Sequence, residues 1–351
     1  MSQEPSPTSA RKADHLRINL SEDVLSTADP GFDRWRFTPR ALPEIDLSDV
    51  DLSATFMGRS LRAPLLISCM TGGTPEAGAI NRGLAAVAQS RGLALGLGSG
   101  RALLESATTR ESFEVRGVAP DVALLANLGA VQLNRGVSFE DCARMVEMLG
   151  ADGLALHLNA LQEALQRDGD VVFAGLLARI EALCSAAPFP VVVKEVGWGI
   201  PPDDVQRLVG CGVYAVDLAG AGGTSWSEVE RHSAEPRGAA LAAAFRDWGL
   251  PTAEALRRAR GVAPNARLIA SGGVRGGMDA AKALALGADL VGIAGPFLRA
   301  AAAGEEQAAA LADQVIDVLR VTMFATGCAT LADLRTAGRL ELDEPNIAAA
   351  P

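Results

Sequence analysis

Aromatic side chains are scarce in this chain: its 351 residues include ten Phe, four Trp and one Tyr. A core built from it must rest on aliphatic side chains and alanine. Histidine occurs at three positions only, His15, His157 and His232, with no HExxH pair, which excludes a histidine-built zinc site. The five cysteines (Cys69, Cys142, Cys184, Cys211 and Cys328) are odd in number, widely spaced and form no CxxC. That excludes a disulfide framework and predicts reduced thiols in a cytoplasmic protein. No apolar run has the length of a membrane span, and the first 30 residues lack the apolar stretch of a signal peptide, so no membrane partner is expected. Positive charge is also in deficit, with 32 basic against 42 acidic residues. A broad basic field is excluded and with it nucleic-acid binding, whereas an anionic small molecule needs only a local cluster.

What is present is a rhythm. Apolar residues make up 49 % of the chain, and the 37 glycines show no collagen period. Short buried-type runs occur at 63–68, 93–97, 123–126, 153–158, 191–194, 213–218, 267–270 and 290–293. Helix-period segments lie between most of them, at 77–90, 139–149, 172–183, 203–209 and 277–286. Two more are expected at 239–248 and 252–260, after a Gly-rich, charged excursion at 220–238, and two at 305–324 and 330–335. Eight such units predict an α/β fold, a (β/α)₈ barrel with an N-terminal extension and C-terminal helices. An open doubly wound sheet is the structural alternative. The organisation expected is a disordered terminus at 1–10, one domain at 11–340 and a flexible tail at 341–351.

In such a barrel the C-terminal strand ends form the active face. Polar residues gather there: Ser68 to Gly73, Ser99 with Arg101, Asn127, His157 with Asn159, Lys194, and Asp217 leading to Thr224. The run Ser271-Gly272-Gly273-Val274-Arg275 follows the seventh strand and Ala294-Gly295 the eighth. Loops in those two places commonly cradle a phosphate, because glycine lets backbone N–H groups approach an anion. Lys194 ends a buried run and must be paired or face a cavity, where it suits a Schiff base or an electron-rich ring. Glu195 is expected as a structural salt-bridge partner. His157 and Asn159 are two apart, which predicts that both face the barrel mouth. Metal evidence reduces to Glu163, a single carboxylate able to hold Mg²⁺ if substrate phosphates complete the shell.

These residues resemble the type 2 isopentenyl-diphosphate delta-isomerases. The resemblance rests on Arg11-Lys12 with His15, Met70-Thr71-Gly72-Gly73, Ser99 with Arg101, the run from His157 to Glu163, Val193 to Gly197, Gly222 to Trp226, and Ser271 to Arg275. It implies a barrel carrying FMN against Met70, Thr71, Gly72, Ser99, Asn127, Lys194 and Thr224. Gly273, Val274, Arg275, Ala294 and Gly295 would bracket the FMN phosphate. It further implies that Arg11, Lys12, Ser99, Arg101, His157, Asn159 and Gln162 bind substrate and that Glu163 binds Mg²⁺. Gln162, His157 and Lys194 are the implied catalytic side chains. The implied reaction interconverts isopentenyl and dimethylallyl diphosphate on reduced FMN, with NADPH restoring the reduced state. A homo-oligomer, tetramer or octamer, is implied as well. Two departures stand out: Asp14 where the family commonly has Glu, and Gly100 where it has a larger residue, a change expected to widen the pocket or loosen Arg101. The alternative enzyme is an FMN oxidoreductase of the 2-hydroxy-acid oxidase type. That chemistry needs a histidine base near the seventh strand, and no histidine follows His232.

Overall fold

A computed structural model describes residues 7–105 and 107–343. The eight apolar runs form a closed parallel barrel, with strands β1 (Leu65–Ile67), β2 (Ala94–Gly96), β3 (Leu124–Gly129), β4 (Gly153–His157), β5 (Val191–Lys194), β6 (Ala215–Asp217), β7 (Leu268–Ala270) and β8 (Leu290–Ile293). Each strand pairs with the next in sequence, and β8 closes on β1 through Val291↔Leu65, Gly292↔Leu66 and Ile293↔Ile67. Helices cover the outside, so both strand faces are buried and the strands read as continuous apolar runs.

Alternation along the strands makes two cores. Leu66, Ala94, Leu125, Val192, Ala215, Ile269 and Leu290 belong to an inner layer with Phe56 and Met57 from the turn joining strands Ala54–Phe56 and Arg59–Leu61. Their neighbours, such as Leu65, Leu95, Leu124 and Val193, pack against the helices. The Met57 N–H donates to Tyr214 Oη at 2.8 Å, which seats that turn under the barrel floor. One end of the cylinder is therefore filled by side chains, and space remains at the other.

The mouth is covered by two helices that the sequence periodicity does not mark. Pro7–Ser21 lies against Trp226–Ser233, with Ile18, Val24 and Val229 forming a small apolar cluster between them. The N-terminal helix thus begins inside the segment expected to lack structure, helped by Pro7 at its first position, where a missing N–H costs nothing. Residues 1–6 of that segment, and 344–351 of the expected flexible tail, lie outside the described residues. Glu341 and Leu342 of that tail form a strand, Leu340–Leu342, paired antiparallel with Trp35–Phe37. The helix expected from 172 starts at Leu176, because Gly175 turns the chain in the left-handed region at φ 74°. The excursion at 220–238 holds the helix Trp226–Ser233 and the start of Pro236–Ala243, and the latter ends well before Trp248.

Candidate active site

The barrel mouth opens into a cavity of about 350 Å³. Every site residue expected from the sequence lines it: Arg11, Lys12, Met70, Thr71, Gly72, Ser99, Arg101, Asn127, His157, Asn159, Gln162, Glu163, Lys194, Thr224, Gly273, Val274, Arg275, Ala294 and Gly295. The strand ends and the N-terminal helix bring them together from across the whole chain.

His157 ends β4 and is held by Asn127 of β3. Asn127 Nδ2 donates to Leu97 O at 3.1 Å, which fixes the amide so that its Oδ1 accepts from His157 Nδ1 at 2.9 Å. The contact places a proton on Nδ1, and Nε2 has no partner among the described residues. Burial, and then the charges of Lys194 and Lys12, pull its pKa down to about 3. Lys12 reaches over the Phe113 ring, 5.0 Å from its centroid, and donates to Ser99 O. Burial and then Arg11 lower its pKa to about 7, while Glu105 opposes them.

Asn159 stands at the N-terminus of the helix Ala160–Leu165, which carries Gln162 and Glu163 on its first turn, without capping it through its side chain. Its Nδ2 donates to Gln162 Oε1 at 3.1 Å and to Glu163 Oε1 at 2.9 Å, while its buried Oδ1 has no partner among the described residues. Gln162 Nε2 donates to Glu230 Oε1 at 2.9 Å, and His15 Nε2 stands 3.4 Å from that oxygen. His15 meets Trp226 edge to face, with centroids 5.4 Å apart. Glu230 is 3 % exposed and was missed by sequence reasoning, because nothing local marks it. Asp170 was missed too. Its carboxylate accepts from Arg101 at 2.7 Å and Gln132 at 3.0 Å and pairs with Arg135, while its N–H donates to Glu163 Oε2 at 2.7 Å.

On the far side Lys194 Nζ donates to Glu195 O. The Glu195 side chain points the other way along the strand, as expected, but forms no salt bridge among the described residues. That carboxylate instead accepts the N–H groups of Gly197 at 2.7 Å, Trp198 at 2.5 Å and Gly199 at 3.3 Å, since adjacent strand residues face opposite sides. Burial nonetheless raises its pKa to about 7. Asp217, the register partner of Lys194, is also raised by burial and accepts from Ser271 Oγ at 2.6 Å.

The two sequence departures lie outside the cavity. Asp14 pairs with Arg17 at 2.7 Å and accepts from Ser233 Oγ at 2.9 Å, tying the N-terminal helix to Trp226–Ser233. A Cβ at Gly100 would run into Met145 Sδ, so Met145 occupies the room beside Gly100, which does not line the cavity.

The cavity fits a flavin mononucleotide by its own chemistry. Ser68 Oγ is buried, faces the cavity and has no partner among the described residues. The N–H groups of Gly273, Val274 and Gly295 likewise donate to no acceptor among the described residues. Gly272 and Gly273 adopt φ of 90° and 69°, and a Cβ on Gly273 would lie 2.6 Å from Pro30 Cβ, so the close turn requires glycine. For a divalent cation the protein offers less. Among the described residues no three metal-ligating side chains converge, so Glu163 would need diphosphate oxygens as co-ligands.

Residues 141–340 match the FMN-dependent dehydrogenase family, and the chain belongs to that class of flavin-binding barrels. A flavocytochrome b2 mutant with benzoylformate superposes with a TM-score of 0.67 at 22 % identity, covering 94 % of this chain and 79 % of that one. A mandelate oxidase mutant with benzaldehyde does so at 0.65 and 20 %, covering 95 % and 93 %; both share the fold. Much nearer in sequence is the isopentenyl-diphosphate delta-isomerase of a Nostoc species, 51 % identical over 95 % of this chain and 96 % of that protein. That of Xanthobacter autotrophicus is 50 % identical over 93 % and 95 %. The chain belongs to the isopentenyl-diphosphate delta-isomerase family.

Proposed function

We propose that this isomerase performs the reversible 1,3-allylic interconversion of isopentenyl and dimethylallyl diphosphate with reduced FMN, Mg²⁺ and NADPH. The observation that carries the reading is one cavity holding both a basic cluster for a diphosphate and an amide-lined corner for its hydrocarbon tail. Arg11, Lys12, Ser99 and Arg101 hold the diphosphate with His157 and Asn159. Lys12 and His157 are both biased towards neutrality in the free protein, and a bound anion opposes that bias at Lys12 Nζ and His157 Nε2. Glu163 shares Mg²⁺ with the diphosphate.

Isomerisation adds a proton at the terminal alkene carbon and removes one from C2, through developing positive charge on the tertiary carbon. Reduced FMN, when bound, supplies electron density and a proton-exchanging ring nitrogen beside that charge. Met70, Thr71, Gly72, Asn127, Lys194 and Thr224 hold the ring, and Gly273, Val274, Arg275, Ala294 and Gly295 surround its phosphate. Gln162 lies beside the alkene, oriented by Asn159 on its carbonyl and Glu230 on its amino group. The N-terminal helix covers the mouth and excludes water from the reacting atoms.

The five free cysteines support a cytoplasmic setting. No helix among the described residues is long and apolar enough to cross a membrane. A homo-oligomer, tetramer or octamer, is proposed, and exposed Leu241 and Trp248 offer apolar surface for a subunit contact. The test is anaerobic incubation of the purified protein with isopentenyl diphosphate, FMN, NADPH and Mg²⁺. Dimethylallyl diphosphate is expected. A flavin-loaded, reduced protein yielding none would refute the activity. The hydroxy-acid oxidase alternative gains no support at the seventh strand, where Ser271-Gly272-Gly273 meets the cavity without an imidazole.

A further inference from the structure

Six cationic side chains line the cavity: Arg11, Lys12, Arg101, Lys194, Arg275 and Arg299. Four of them are engaged. Lys12 donates to Ser99 O, Lys194 to Glu195 O, and Arg101 to Glu105 and Asp170. Arg275, which the sequence singles out for a phosphate, places its guanidinium elsewhere: Nε donates to Asp279 at 3.1 Å and Nη2 to both oxygens of Asp33 at 3.2 Å. Its own N–H is used as well, by Asp279 at 3.0 Å. Two acids thus neutralise Arg275, and the residue ties the turn Phe32–Arg34 to the loop after β7.

Arg299 differs. It lies in the helix Gly295–Ala303, one turn after Gly295, and helical side chains lean back towards the N-terminus. A Cβ built on Gly295 would be 3.4 Å from Arg299 Nη1 and 3.5 Å from Thr224 Oγ1. The guanidinium therefore lies over the first helical turn, beside Thr224, at the end of the cavity where the loops after β6, β7 and β8 meet. No carboxylate or carbonyl among the described residues partners it. The unpartnered N–H groups of Gly273, Val274 and Gly295 line that same end.

We propose that Arg299, rather than the side chain of Arg275, supplies the cationic charge that recognises the FMN phosphate. A doubly charged phosphate there meets a free guanidinium fork, backbone donors and the Thr224 hydroxyl. Arg275 then acts as a positioning residue that shapes the glycine loop. Arg299 becomes the determinant of FMN over riboflavin, which lacks the phosphate. The inference rests on the flavin reading of the cavity.

The test titrates the flavin-stripped full chain with FMN and, separately, with riboflavin, following flavin fluorescence. Arg299→Met keeps the aliphatic stem and is expected to weaken FMN about 10- to 100-fold, the range for a lost charge-assisted contact, while riboflavin changes less than about twofold. Arg299→Lys is expected to recover part of the FMN affinity. Arg275→Met is expected to weaken both flavins by similar factors and to lower the melting temperature. Unchanged FMN affinity in Arg299→Met, or equal weakening of both flavins, would overturn the assignment. Failure of the unaltered chain to bind either flavin would overturn the flavin reading together with it.

Discussion

Glu230 Oε1 accepts a hydrogen bond from Gln162 Nε2 at 2.9 Å and stands 3.4 Å from His15 Nε2. Three elements far apart in sequence thus meet at one buried oxygen. A carboxylate accepts and never donates, so it fixes which end of the Gln162 amide faces it. Glu230→Gln can donate as well and removes that constraint. The expected result is a kcat about 10- to 100-fold lower, with KM for isopentenyl diphosphate little changed and flavin content normal. An unchanged kcat would remove Glu230 from the catalytic arrangement.

Lys12 gives a prediction with a definite sign. Its pKa in the free protein is lowered by burial, and then by Arg11, to about 7. The unfolded side chain keeps its ordinary value of 10.5, so stability falls progressively as pH drops from about 10.5 to about 7, changes no further below that, and is regained over the same interval as pH rises. At pH 8 the side chain is mostly neutral, and a bound diphosphate pulls a proton onto it. Calorimetry with inorganic pyrophosphate, run at pH 8 in buffers of differing ionisation enthalpy, should show proton uptake. Lys12→Met should take up distinctly less. Equal uptake in both proteins would assign the proton to another group, with His157 Nε2 the next candidate.

Glu163 accepts from Asn159 Nδ2 and from the Asp170 N–H, a pair of contacts that holds its carboxylate beside the cavity. Glu163→Gln keeps the shape and removes the charge. Turnover should fall, and the Mg²⁺ concentration for half-maximal rate should rise by about tenfold or more. An unaltered Mg²⁺ dependence would place the cation elsewhere.

The glycine at 100 is explained by Met145 rather than by the substrate. Gly100→Gln should destabilise the protein by about 1–3 kcal/mol through overpacking. Adding Met145→Ala should restore part of the loss, because it removes the atom in the way. If the double variant is no more stable than Gly100→Gln alone, the crowding argument fails.

All eight barrel strands were readable as short apolar runs, because burial on both faces leaves an uninterrupted signal. The polar strand ends were readable for the same reason, each standing out against an apolar background. What escaped is what depends on distance in the chain. Glu230 lies in a charged stretch that looks solvated, and only folding buries it 68 residues away against Gln162. Arg275 sits in a loop of the right composition, yet its guanidinium turns to Asp33, which is 242 residues distant. Arg299 is one arginine in an alanine-rich helix, with no local mark of a ligand. The helix Trp226–Ser233 was hidden by the glycines that precede it, and its burial comes from packing on the N-terminal helix, on Ala160–Leu165 and on Pro236–Ala243.

In the proposed isomerisation the flavin is kept reduced without its electrons passing to substrate. The decisive measurement counts NADPH oxidised against dimethylallyl diphosphate formed, under strict exclusion of oxygen and with substrate in large excess over enzyme. Many product molecules are expected for each NADPH, with the flavin remaining reduced throughout. One NADPH consumed per product, or flavin reoxidation in step with substrate loss, would contradict it and make the protein an oxidoreductase.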